Sequence, residues 1–116
     1  MQSVSAAKNI LIIGLGFVFL YFGIEKFVHP SMWLLWIPDW MNGLFGLKAD
    51  LWLKIIGITE IIIAVALLMP IRFLQQIASI AAALHLVGIL TQVGWNDVGV
   101  RDIGLLMMAV ALFFLL

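Results

Sequence analysis

Cysteine is missing altogether from this chain, and charge is scarce: six Lys and Arg with six Asp and Glu make up 10% of 116 residues. The first absence excludes disulfides, thiol catalysis, iron–sulfur ligation and CxxC redox exchange. The second excludes a water-facing surface, because a soluble domain of this size is about a quarter charged. The formal net charge is zero, with no basic patch to neutralise phosphates, so nucleic acid is not an expected partner. What fills the chain instead is hydrocarbon, with 66% hydrophobic residues and a mean hydropathy of +1.24. Most of the outside must therefore face lipid, and the chain reads as an integral membrane protein.

Lys8 followed by "NILIIGLGFVFLYFG" has the basic and apolar regions of a signal peptide. No small-x-small cleavage site follows it, and the chain runs on into "IEKFVHP", so the stretch reads as a retained first span. A span needs about 20 apolar residues to cross roughly 30 Å of hydrocarbon. Four stretches qualify, at about 8–27, 51–69, 73–95 and 99–116. Pro70 closes the second, and "WNDVG" separates the third from the fourth. The connection between the first two spans carries "MWLLWIPDWMNGLFG", too short and too broken by Pro38 and Gly43 to cross. Its Trp33, Trp36 and Trp40 suit the headgroup region, where an indole buries its ring and keeps its N–H wet. The expected fold is all-α: one transmembrane domain over 1–116, an integral membrane four-helix bundle with a short interfacial helix at about 31–45.

With the N-terminus on side A and the opposite face called side B, both termini fall on side A. Sixteen uncharged residues separate Lys8 from Glu25, and 14 follow Asp102. These cover about 24 Å and 21 Å, less than the hydrocarbon thickness. Glu25–Lys26 and Arg101–Asp102 are thus expected at the side-B boundary. Partly buried charges need partners, and one structural solution staples the first helix to the fourth, Lys26 with Asp102 and Glu25 with Arg101. Glu60 lies nine residues from Leu51, and His85 nine residues before Gly94. Both therefore come about 13 Å in from side B, level with each other. Gln92 lies shallower on the helix of His85. Ala78, Ala81, His85, Gly88 and Gln92 recur at i+3 and i+4, a small-and-polar stripe of the kind that lets membrane helices approach. Glu60 has two readings: a packing acid, or a site group of the kind that intramembrane ionisable residues usually are. Glu60 is expected to face the bundle interior, within direct or water-bridged reach of His85, Lys26 or Arg101, and His85 to be its hydrogen-bonding partner or a ligand's. Haem would need a second axial ligand at that level, and His29 lies at the side-B edge. No spacing matches a zinc or di-iron site, so no metal is expected.

"GLGFVFLYFGIEKFVHP", "GITEIIIAVALLMPIR", His85 and "NDVGVRDIGLLMMAVAL" occur in the order seen in the DoxX and DoxX-like small membrane proteins, which the chain resembles over nearly its whole length. The resemblance implies a four-helix bundle and an association with quinone-linked redox systems, the family's namesake being a subunit of a thiosulfate:quinone oxidoreductase. It also implies a prokaryotic plasma membrane with cytoplasmic termini. Charge does not decide the orientation, since Lys8 and Arg72 on side A balance Lys48 and Lys54 on side B. The chain has no prosthetic-group ligand set and is not expected to be catalytic alone. The expected function is an accessory membrane subunit whose side-B pocket takes a quinone head group, with Glu60, His85, Gln92 and Lys26 as ligand-binding residues. Expected partners are membrane lipids and a larger membrane protein or further copies of the chain. Two rivals stand beside it: a purely structural, lipid-binding subunit, and an oligomeric proton-coupled transporter with Glu60 as carrier.

Overall fold

The computed structural model describes residues 2–116, and among them there are helices and no strands. Four long helices are apolar enough to cross a membrane: α1 (Gln2–Val28), α3 (Ala49–Leu68), α4 (Arg72–Val93) and α5 (Asp97–Leu115). Between the first two lie a short helix, α2 (Pro30–Leu34), and two 3-10 turns, Asp39–Met41 and Leu44–Gly46. The protein is a multi-pass membrane four-helix bundle. Its helices form a ring in which α1 and α4 each pack against both α3 and α5.

The spans are apolar all round, so periodicity alone does not separate their inner from their outer faces. Contact does. Along α1, Ile12, Leu15, Phe19, Gly23 and Lys26 are buried, while Ile10, Ile13, Phe17, Tyr21 and Ile24 point outward to lipid. Lipid tails are as apolar as leucine, so these helices associate through close packing rather than through hydrophobic transfer. Ala64, Ala82, Ala109, Leu15, Leu67 and Leu112 are fully enclosed and make up the dry half of the bundle, toward side A. Small residues supply the closest approach. A Cβ added to Gly23 would lie 2.8 Å from the Gly57 carbonyl oxygen, and one on Gly57 would lie 3.0 Å from the Gly23 oxygen. The α1 and α3 backbones cross there.

Helix ends are held by local polar groups. Asn96 caps α5 by accepting from the Gly99 N–H at 3.0 Å. Gln75, one of the few polar residues of the side-A half, donates to the Leu67 carbonyl at 3.0 Å. That carbonyl belongs to the last turn of α3 and has no partner within its own helix. Where one interfacial helix was expected, the backbone instead folds as α2 and the two 3-10 turns. Gly43 and Gly46 take positive φ there, and Asn42 accepts from the Ala49 N–H at 3.1 Å to start α3. The Trp52 indole donates to the Leu44 carbonyl at 3.2 Å, tying this cover to α3.

Candidate functional site: a polar cavity under the interfacial cover

Toward side B the ring opens around a cavity of about 520 Å³, lined by all four long helices and by the 29–41 connection. At its floor, Lys26 from α1, Glu60 from α3 and His85 from α4 meet. Lys26 Nζ lies 2.6 Å from Glu60 Oε1, and His85 Nε2 lies 3.4 Å from Glu60 Oε2. Lys26 is 7% exposed and Glu60 is 4% exposed, so the ion pair is buried. Lys26 also donates to the Phe22 carbonyl at 3.3 Å, and the Phe19 ring stands edge-on to the His85 imidazole, centroids 5.8 Å apart.

Helix direction explains the meeting. Cα–Cβ bonds tilt toward a helix's N-terminus. The N-terminus of α1 is on side A, so Lys26 is aimed into the bilayer instead of out to the interface. The N-terminus of α3 is on side B, so Glu60 leans outward. Each follows by three residues a glycine of the α1–α3 crossing, Gly23 or Gly57, and the two side chains converge at that level.

The expected staple between the first and last spans does not form. Lys26 pairs with Glu60, Glu25 with His29 one turn away at 2.9 Å, and Arg101 with its neighbour Asp102 at 3.1 Å. Adjacent residues project to different helix faces, but an arginine is long enough to fold back across the intervening angle. Its guanidinium carbon then sits 4.9 Å from the Phe22 ring centroid. Only one oxygen of Asp102 is used, by Arg101. The other, Oδ2, is buried without a partner.

Gln92 lies at the mouth, away from the floor, and its side-chain oxygen accepts from the Trp40 indole at 3.3 Å. Trp33 does not keep its indole N–H wet as expected, but turns inward over the site. Its ring packs edge-on against Phe22, centroids 5.2 Å apart, and covers the Lys26 ammonium at 4.3 Å. Its N–H is buried and without a partner. Sequence reasoning missed Trp33 and Asp102 as wall groups, because a tryptophan before a proline-broken loop and an acid at a helix start both have ordinary explanations. Gly88 also departs from its expected role in helix packing: a Cβ there would meet nothing within 4 Å, because the position opens on the cavity. Among the described residues no group of His, Asp and Glu is placed to hold a metal ion.

Comparison with known protein families, with curated proteins and with solved structures gives no match. The chemistry of the cavity therefore carries the functional reading.

Proposed function

We propose that the protein is a small accessory subunit of a quinone-linked membrane redox system, and that its side-B cavity receives the head group of a quinone-type amphiphile. One observation carries this reading: a buried Lys26–Glu60–His85 cluster forms the floor of a cavity whose walls are largely aromatic and aliphatic. A purely structural ion pair would be packed over, whereas this one faces space. The volume of about 520 Å³ falls in the range of small-ligand sites, roughly 300–1,000 Å³. A quinone-type molecule needs an apolar slot for its tail and a few polar groups for its ring oxygens, and the cavity offers both. The DoxX-like sequence pattern supports the same reading. The chain's own residues bind and orient the head group and exclude water from it, and electron transfer belongs to a partner protein.

Purification from the native membrane in mild detergent, followed by mass spectrometry of the extracted small molecules, tests this. A quinone or quinol retained near one per chain is the expected result. Retention of phospholipid alone would refute it.

A further inference from the structure

The cavity does not stay inside the ring. Successive residues of an α-helix are turned by about 100°, so place in the sequence fixes place round the helix. Leu84 falls opposite the α4 face that carries the buried Gln75, Ala78, Ala82 and Leu86, and it is 67% exposed, yet it lines the cavity. His85, Gln92 and Gly88 line it too, and round the helix they lead in that order from the interior to Leu84. On the other flank of α4, Ala83, Val87 and Leu90 do not line it. His85 is the residue that meets Glu60 of α3, so the space passes round α4 on its α3 side. Packing between the two helices gives way there. No residue of α4 beyond Leu86 is buried, whereas α3 keeps Leu53 and Gly57 buried at those levels.

Leu84 lies ten residues before Gly94, about 15 Å in from side B and half-way through roughly 30 Å of hydrocarbon. An opening at that depth meets lipid chains and no water. Gly88 leaves it clear, since a Cβ there would meet nothing within 4 Å. The water-side end is spanned by the cover, whose Trp40 is held to Gln92 at 3.3 Å. From this sweep round α4 we propose a lateral portal between α3 and α4, through which an amphiphile with an uncharged ring enters from the bilayer. The ring passes Gly88 to reach His85 and Glu60, and the apolar chain stays outside, lying over Gly88 and Leu84. A void along that path would forfeit the dispersion contacts of its walls, and a hydrocarbon chain restores them. The route also selects. A phospholipid would have to bring a charged head group to mid-membrane, where charge is costly, and an uncharged ring does not. The portal rests on the reading of the cavity as a quinone-type site.

The test is photolabelling of the full chain in nanodiscs of dioleoylphosphatidylcholine, with a benzoquinone whose alkyl tail carries a diazirine near its middle. Adducts are mapped by peptide mass spectrometry, with and without an excess of the same quinone lacking the diazirine. The expected result is label on residues 84–91 that the excess removes. Label on the outward α1 residues Phe17 and Tyr21, which marks tails dissolved in lipid, should be unchanged by it. Label on 84–91 that the excess does not remove, or removable label confined to α1, α5 or the cover, overturns the portal. A titration with tail-less benzoquinone then separates the two readings: saturable binding leaves the site standing without its portal, and no binding overturns the quinone-type reading as well.

Discussion

Glu60 divides its two oxygens between a lysine from α1 and a histidine from α4, so it ties three helices at one depth. Removing one member of a buried pair strands the other, at a cost of about 3–5 kcal/mol, whereas replacing both by apolar residues is often neutral. Lys26→Met alone should accordingly lower stability by that amount, and Lys26→Met with Glu60→Met should recover most of it. Denaturant unfolding in mild detergent reads both, and equal losses in the single and double variants would contradict the pairing. Glu60→Gln keeps size and hydrogen bonding but removes the charge. It should cost stability, because buried Lys26 loses its countercharge, but keep the fold, and in the folded protein weaken retention of a bound amphiphile by about tenfold, close to 1.4 kcal/mol. Retention equal to that of the parent would leave Glu60 as a packing acid.

The α1–α3 pair owes its closeness to Gly23 and Gly57, and that closeness brings Lys26 to Glu60. Gly23→Ala should cost about 1–3 kcal/mol by overpacking, because the new methyl meets the Gly57 carbonyl, a backbone atom with little freedom to move. Gly88→Ala on α4 should cost nothing and can add about 0.5–1 kcal/mol of helix stability, since nothing lies within 4 Å of the added carbon. Thermal unfolding of the two variants side by side checks this, and similar behaviour would show that the crossing is not the close contact described. The spans and their tight α3–α4 turn were legible from hydropathy, Pro70 and Gly94. The level match of Glu60 and His85 followed from counting residues at a fixed rise per residue. Counting left two partners open for Lys26, Asp102 at the boundary or Glu60 below it, because it places a Cα and says nothing of the direction its side chain takes. Helix polarity turns Lys26 inward past the boundary at which it was counted. Trp33 was hidden for a similar reason: headgroup depth and a cavity roof call for the same residue type at the same level, and only the fold of 29–41 over the ring separates them.

At the scale of the whole molecule, the bundle is dry toward side A and opens toward side B beneath a short folded cover. Both termini lie on one side of the membrane, with the 29–48 connection and Trp95 on the other. The lack of cysteine makes this simple to check, since every introduced thiol is the only one. In sealed vesicles, Gln2→Cys and Leu116→Cys should react with an impermeant maleimide from one side, and Lys48→Cys and Trp95→Cys from the other. Any mixture would break the topology. The central claim, that the side-B cavity is a ligand site, is tested most directly by filling it. Gly88 lines the cavity and a Cβ there would meet nothing within 4 Å, so Gly88→Phe starts a ring into open space. The decisive measurement is a titration of a short-tailed quinone against the parent and Gly88→Phe proteins, with helix content matched by circular dichroism. The expected result is one saturable site in the parent and its loss in the variant. Undiminished affinity in a correctly folded Gly88→Phe protein would place binding elsewhere and contradict the account.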